Sequence, residues 1–396
     1  MSSDTLKRRI GPGLLTAYGV GVMVGAGIYV LVGAVAAEAG LYAPMAFLLA
    51  GLVAAPTALS YAEFSTRFPE AAGEAVYVAR GFARNWLAVL VGLAIVVTGT
   101  ISAAAVLRGG VGYLRLIVDV PPGWATLIIG GALITVAAIG VLESLALAGI
   151  FTVIEVAGLA LVIWAGAEAA PQAASLPPLD PAILTGVAAA AGLAFFAFIG
   201  FEDIVNMAEE VREPSRTMPR AILYSLAITA LLYAAVAWAA VRAVPLDVLA
   251  GSERPLALVW QAAQGGEGRF LSAIAVIAAL NGVLAQIVMA SRVLFGLGAR
   301  MQALAIFHRA HPRFGTPLLA TVLVGALVVV TANFLPVAIL ARATSSVLLA
   351  VFMTVNLALI LMKRRDPMAP FQVPMAVPVL GLVLSTLAWG VTVLQF

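Results

Sequence analysis

The chain has 396 residues, of which 63% are hydrophobic and 10% are charged, far below the roughly 25% charged residues of soluble domains. Most of it is therefore expected to lie in a lipid bilayer, and its net charge of +3 does not indicate a nucleic-acid partner because the basic residues flank hydrophobic runs. It contains no cysteine, which excludes disulfides and thiolate metal sites.

Eleven apolar runs are long enough to cross the bilayer as helices, which predicts an all-α polytopic membrane protein. Their predicted bounds are 12–37, 42–66, 83–107, 122–142, 146–168, 182–208, 219–243, 269–299, 317–335, 337–362 and 375–395. If the N-terminus is in the cytoplasm, the cytoplasmic connections hold 16 of the 22 basic residues. This bias predicts a multi-pass protein of the plasma (inner) membrane with a cytoplasmic N-terminus and an extracytoplasmic C-terminus.

Two of these spans contain small-residue interruptions where a plain span would be unbroken. The first interruption is GVGVMVGAGIY at residues 19–29, and the second is FFAFIGFE at residues 195–202. A glycine in a helix interior costs about 1 kcal/mol relative to alanine, and lipid cannot bind the backbone groups of an unwound helix. Paired interruptions in two halves of a membrane protein therefore predict a secondary transporter with its binding site at the breaks.

The two breaks also indicate an internal repeat. Spans one to five and six to ten can be laid over each other with opposite topology, and each broken span is the first of its set. This arrangement predicts a 5+5 inverted-repeat transporter fold with discontinuous helices 1 and 6. We expect one transmembrane domain over residues 1–396, with a first repeat at about 10–170, a second at about 180–364 and an accessory helix at about 375–396.

Several segments resemble the amino acid–polyamine–organocation superfamily, and in particular its cationic amino acid transporter-like branch. The similar segments are GAGIY at 25–29, YAE at 61–63, RFP at 67–69, residues 73–77, FAFIGFE at 196–202, residues 208–220 and SRVLF at 291–295. The resemblance covers nearly the whole chain and implies amino acid transport by alternating access, coupled to protons or by exchange. Three features depart from the family pattern: Ala26 replaces a hydroxyl residue, Glu155 replaces a lysine, and eleven helices are predicted where relatives have twelve.

The breaks offer charges that complement those of an α-amino acid. A half-helix that ends in the membrane presents carbonyls, and the next half-helix begins with free N–H groups and a partial positive charge. We expect the substrate carboxylate to bind the N–H groups near Gly25, Ala26 and Gly27. The carbonyls expected to accept hydrogen bonds from the substrate ammonium are those of Val22, Met23, Phe196, Ala197 and Ile199. Taken alone, the glycine spacing also fits a close helix-packing motif.

Side chains near the second break and in the eighth span are further substrate-binding candidates. Phe198 is predicted to line the pocket and Phe196 to contribute its backbone, and packing of either ring against other helices is the alternative. Asn281 in the eighth span is the third candidate, for which a single polar contact between helices is the alternative.

Four acidic residues are candidates for coupling and gating. Glu155 lies near the middle of the fifth span on a small-residue face, where an ionisable group is costly and indicates function, so we expect it to handle the coupling proton. A static hydrogen-bonded carboxyl group is the alternative. Glu202, Glu209 and Glu210 are predicted gating residues, although Glu202 also fits a helix cap and the other two fit a solvated ion-pair cluster.

Other classes of function agree less well with the sequence. A hydrolase would need a nucleophile with a nearby base. A metal site would need more ligands than His308 and His311 offer. No P-loop motif is present, which excludes a primary pump, and the spans are too apolar for a channel. We therefore expect no enzymatic activity and no cofactor, with a small-molecule substrate, protons and the bilayer as partners. A carrier of amines or polyamines remains the alternative, because Ala26 weakens the carboxylate site and Glu155 adds a partner for a cation.

Overall fold

The computed structural model describes residues 10–69, 73–139, 145–172, 176–208, 211–312, 314 and 316–394. Over these residues the chain forms α-helices joined by turns and short 3₁₀ segments. The helices are α1 Pro12–Met23, α2 Ala26–Ala39, α3 Ala43–Arg67, α4 Gly73–Phe82, α5 Asn85–Leu114, α6 Pro122–Ile139, α7 Leu145–Glu168, α8 Pro181–Ala194, α9 Pro214–Ala243, α10 Leu246–Ala250, α11 Pro255–Gln264, α12 Arg269–Arg300, α13 Leu318–Phe334, α14 Val337–Arg365 and α15 Ala376–Val393.

Local sequence signals mark where several helices begin. Proline stands in the first turn of α1, α8 and α9, where its missing N–H group costs no intrahelical hydrogen bond. Asp180 precedes α8 and caps it, because its side chain accepts a hydrogen bond of 2.7 Å from the backbone N–H of Ile183. These signals fix helix ends, whereas the apolar composition of the interiors fixes their place in the bilayer.

The number of crossings agrees with the prediction. Nine helical segments of the described chain are long and apolar enough to cross a bilayer, and α1 and α13 are shorter apolar helices. One of the nine, Gly27–Arg67, contains both α2 and α3, which are separated by a turn at Gly40 with a φ of 57°. If α1 and α2 are counted as one interrupted crossing, the helices make eleven crossings at the predicted positions. The prediction of an all-α polytopic membrane protein with discontinuous first and sixth helices is therefore confirmed.

Three short helices, which the sequence analysis did not predict, mark the two ends of the bundle. Helix α4 lies against α14 and α5 where α3 and α14 end, and we call this the α4 end. Helices α10 and α11 lie near the opposite end, where α10 packs on α2, and we call this the α11 end. Ile10, just before α1, belongs to the α4 end, because its carbonyl accepts the N–H of Arg212, just before α9, at 2.9 Å.

The crossings form two packed groups. Helices α1, α3, α8 and α9 surround the two breaks, and α5, α6, α12 and α13 form the second group. Helix α7 contacts α1 and α9 on one side and α12 on the other, while α14 lies along α5 and α15. The division of the chain into two inverted repeats and an accessory helix stays a prediction.

Candidate functional site

The first break interrupts the first crossing at residues 24–25. Helix α1 ends at Met23, and α2 begins at Ala26 with Gly25 as its N-cap residue. Gly25 has a φ of −48° and a ψ of −171°, so the chain is extended between the two half-helices. Because a helix start leaves its first N–H groups without intrahelical partners, the backbone of Ala26 and Gly27 offers donors at this point. A Cβ at Gly25 would meet only the Val22 carbonyl oxygen, at 3.9 Å, so the space beside it is open.

The second break interrupts the sixth crossing at residues 195–207. Helix α8 ends at Ala194, a 3₁₀ turn covers Phe195–Phe198, and Ile199 is extended with a ψ of 131°. Gly200 has a φ of 121°, a conformation that residues with a side chain rarely adopt, and its N–H donates to Glu202 Oε2 at 2.9 Å. A second 3₁₀ segment, Glu202–Met207, completes the crossing. The carboxyl group of Glu202 therefore caps the break, and its role in gating stays a prediction.

The two breaks touch each other through their glycines. A Cβ at Gly27 would lie 3.3 Å from the Cα of Ala197. A Cβ at Gly200 would lie 2.6 Å from Cγ1 of Val22 and 3.1 Å from its carbonyl oxygen. A side chain at Gly200 would collide with Val22, and one at Gly27 would leave the two backbones very little space. The structure thus brings the backbone groups predicted at the two breaks into one buried region.

Tyr233 of α9 joins the two breaks and was not among the predicted residues. Its hydroxyl oxygen lies 2.5 Å from the carbonyl oxygen of Met23 and 3.0 Å from that of Ala197. A phenol has one hydrogen to donate, so the two carbonyls share a single donor. The available signal was its position, since a tyrosine in the middle of a span lies away from the interfaces that tyrosines prefer.

Glu155 of α7 is buried beside the first break. Its side chain is 1% exposed, and neither carboxyl oxygen makes a well-formed hydrogen bond to the described residues. Asn281 of α12 is the polar side chain next to this carboxyl group. Thr152, one turn earlier, fills the place that a Cβ of Gly21 would occupy, which seats α7 directly against α1. Asn281 therefore lies beside the coupling candidate, and its role as a substrate ligand stays a prediction.

Two further tyrosines connect this carboxyl-bearing helix to the first break. The hydroxyl of Tyr29 donates to the backbone carbonyl of Glu155 at 2.8 Å, and the hydroxyl of Tyr113 donates to the carbonyl of Tyr29 at 2.5 Å. All of these groups are buried. A movement of α7 at Glu155 would therefore be transmitted through this hydrogen bond to α2, immediately after the first break.

The rings of the two phenylalanines at the second break pack against different neighbours. Phe198 packs its ring against Gly51 of α3 and edge-on against Tyr233, with a centroid separation of 5.3 Å. The ring of Phe196 instead reaches the first break, where its Cδ1 atom would lie 3.7 Å from a Cβ of Gly27. The carbonyl of Phe196 accepts the N–H of Ile199 at 3.2 Å. Because a 3₁₀ turn changes the angle between successive side chains, the two rings point to different neighbours, and the roles expected of Phe198 in the pocket and of the Phe196 backbone stay predictions.

A buried carboxyl group outside the spans lies near the second break. Glu74 of α4 is 8% exposed and lies beside Tyr61 of α3. Burial, reinforced by the negative charge of Asp203, raises the pKa of Glu74 to about 7, although a backbone hydrogen bond and the Tyr61 hydroxyl oppose the rise. This group therefore titrates near neutral pH at the α4 end.

Some predicted residues cannot be placed in this arrangement. Glu209 and Glu210, two of the gating candidates, lie outside the described residues. Within the described part of the chain, no group of three or more histidine, aspartate or glutamate side chains is arranged to hold a metal ion.

Comparisons with known proteins agree with a membrane carrier. A family model described as amino acid permease matches residues 14–396. The chain is 28% identical to the branched-chain amino acid permease BcaP of Bacillus subtilis, over 99% of this chain and 90% of that protein. It is 30% identical to the methylthioribose transporter of Bacillus subtilis, over 100% of this chain and 91% of that protein. It is 32% identical to cationic amino acid transporter 9, chloroplastic, of Arabidopsis thaliana, over 78% of this chain and 58% of that protein.

Proposed function

Because the chain belongs to the amino acid permease family, within the amino acid–polyamine–organocation superfamily of transporters, we propose that it moves an amino acid by alternating access between the two sides of a bilayer. Members of this family are transporters and not enzymes. The proposal concerns the mechanism and the place of the substrate, which we assign to the two breaks.

The observation that supports this site is the convergence of backbone groups from both breaks. The carbonyls of Met23 and Ala197 meet at the hydroxyl of Tyr233, and the N–H groups at the start of α2 lie beside the open space at Gly25. An amino acid would place its carboxylate on those N–H groups and its ammonium on the two carbonyls. The Tyr233 hydroxyl stands where an ammonium would donate, so binding requires it to move away.

Glu155 supports proton coupling through its burial and its lack of a well-formed hydrogen bond. An ionisable group inside a bilayer is costly, and such groups usually have a function. Uptake and release of the coupling proton during the transport cycle is a function that fits a carboxyl group at this place. Its contact with the first break runs through Thr152 and the Tyr29 hydroxyl. We therefore assign the coupling proton to Glu155, in symport or in exchange.

A carrier of amines or polyamines is the second candidate. Glu155 favours it, because a buried carboxylate beside the carbonyl ends of the break attracts a cation without needing a substrate carboxylate. The relative named as a methylthioribose transporter also indicates that the substrates of this family extend beyond amino acids. The two candidates differ in whether the N–H groups at Ala26 and Gly27 hold a ligand.

The proposed location is the plasma (inner) membrane, with the α4 end in the cytoplasm. The α4 end carries the basic residues that end α3, precede α5 and end α14. Basic connections are retained on the cytoplasmic side during insertion, which supports this orientation.

A substitution at Gly25 tests the substrate site. The Cβ of a leucine at Gly25 would meet only the Val22 carbonyl oxygen, at 3.9 Å, so the side chain would begin in open space. Leucine at Gly131 of α6 adds the same side chain where no atom lies within 4 Å of the Cβ. We expect the Gly25→Leu protein to fold and to lose uptake in liposomes, and the Gly131→Leu protein to keep both properties. Normal uptake by the Gly25→Leu protein would place the substrate elsewhere.

A ligand screen separates the two candidate substrate classes. The twenty amino acids, simple amines and polyamines are tested for thermal stabilisation of the purified protein. A ligand present at 100 times its Kd adds about 2.7 kcal/mol to the stability of the folded state. Stabilisation by amines alone would favour the second candidate, and stabilisation by amino acids would favour the first.

A further inference from the structure

Helix α14 carries a basic residue near each end. One of them forms an ion pair with α2, the second half of the first broken crossing, and the other forms an ion pair with α3, the next crossing. At the α11 end, Arg342 Nη2 lies 2.7 Å from Glu38 Oε1 of α2. At the α4 end, Lys363 Nζ lies 2.8 Å from Glu63 Oε2 of α3 and 3.0 Å from its Oε1. The positions 342 and 363 are 21 residues apart, about 31 Å of helix, which is close to the thickness of the hydrocarbon core.

Both ion pairs connect the group of helices around the breaks to its neighbours. Helix α14 packs along α5, which belongs to the second group, and along α15. Glu38 lies on the half-helix that begins at the first break, and Glu63 lies on the next crossing. If the break-bearing helices rock against the rest of the protein, these contacts lie across the gap that opens at each end.

The pair at the α4 end is built so that it can separate without leaving a buried charge unpaired. Glu63 is fully buried and also accepts hydrogen bonds from Arg67 Nη2 at 2.7 Å and from the N–H of Val373 at 2.9 Å. Arg67 is on the same helix as Glu63 and would stay with it when Lys363 moves away. A buried carboxylate that lost its only cation would be strongly destabilised, and Arg67 prevents this.

The two pairs differ in their exposure to solvent. The side chains of Lys363 and Glu63 are 8% and 0% exposed, whereas those of Arg342 and Glu38 are 19% and 39% exposed. Exposed pairs contribute little, because water and salt screen them. The closure at the α4 end is therefore the stronger of the two.

We propose that Glu63, Lys363, Glu38 and Arg342 are the gating residues of this transporter, with one ion pair closing each end and each end opening when its pair separates. This inference rests on the proposed alternating-access function. Both pairs are formed in the structure, and the proposal therefore assigns it to a state that is closed at both ends. Glu63 and Arg67, which belong to the segments that resemble the family, thereby acquire a function separate from substrate binding at the breaks.

The absence of cysteine from the chain allows a direct test with paired spin labels. One pair, at Arg220 of α9 and Arg364 of α14, reports the distance across the α4 end, and a second pair, at Ala37 of α2 and Ile339 of α14, reports the α11 end. All four side chains are exposed, so labelling leaves the core intact. The distance distributions are measured in proteoliposomes without substrate, in the parent protein and in variants at the two ion pairs.

Lys363→Met should shift the distances across the α4 end to longer values and leave the α11 end unchanged. Arg342→Met should do the reverse with a smaller shift, because its pair is more exposed. Lys363→Arg and Arg342→Lys keep the charges and should restore the parent distributions, which separates gating from a general loss of folding. Unchanged distances in both methionine variants, or equal responses at both ends, would overturn the proposal. The distances are measured without substrate, so they do not depend on which substrate the protein carries. A failure to transport amino acids would therefore refute the proposed function and leave the distance measurements unchanged.

Discussion

Replacement of Glu74 by glutamine should change the dependence of stability on pH. The pKa of Glu74 is about 7 in the folded protein and 4.5 without burial, a difference of about 2.5 units. At about 1.36 kcal/mol per unit, this corresponds to about 3 kcal/mol. Because the folded protein binds the proton more tightly than the unfolded chain, the favourable contribution is complete below pH 4.5. It is lost as the pH rises to 7, where the carboxyl group ionises inside the protein.

The assay is the free energy of unfolding in detergent micelles, measured by denaturant titration at several values between pH 5 and pH 8. The parent protein should lose stability over this range, and Glu74→Gln should lose less and be more stable than the parent at pH 8. Glu253→Gln is the matched control, because its side chain is 65% exposed and its pair with Arg115 contributes little. Parallel pH profiles for the parent and Glu74→Gln, or a less stable Gln variant at pH 8, would refute the reasoning.

Three other outcomes are expected. Tyr233→Phe should lower the free energy of unfolding by about 1–3 kcal/mol, because two buried carbonyls lose their donor, and should raise the affinity for substrates with an ammonium group, as measured by binding. Glu155→Gln should flatten the pH profile of uptake while the protein stays folded, and an unchanged profile would leave Glu155 as a structural group. A reporter fused to the C-terminus should be found on the extracytoplasmic side, since α15 ends at the face opposite the start of α1.

The spans and the breaks could be predicted because the bilayer imposes strong rules on sequence. A crossing needs a fixed length of apolar chain, so the eleven runs were visible without any knowledge of the contacts between them. Gly25, Gly27 and Gly200 stood out because glycine is costly in a helix interior and nothing in lipid compensates for an unwound backbone. The α4 helix escaped prediction because its ten residues are too few to cross and it lies outside the apolar runs.

The side chains that complete the candidate site could not be predicted in the same way. Tyr233 is separated from Met23 by 210 positions and from Ala197 by 36, so only the packing of α9 across the breaks reveals the contact. The directions of the Phe196 and Phe198 rings could not be predicted either, because a 3₁₀ turn changes the angle between successive side chains. Periodicity identifies which face of a regular helix is buried, and at a break there is no regular helix.

The single hydrogen of Tyr233 suggests why a substrate would displace it. Two buried carbonyls, one from each break, share one hydroxyl hydrogen, so one of them is always less well satisfied. An ammonium group has three hydrogens and a positive charge, and it could donate to both carbonyls at once with stronger, charge-assisted bonds. The energy gained would exist only when both breaks contribute, because each supplies one carbonyl. Binding would therefore hold the end of α1 and the 3₁₀ turn after α8 together while Tyr233 and α9 are released, and a ligand that lacks an ammonium group would not produce this exchange.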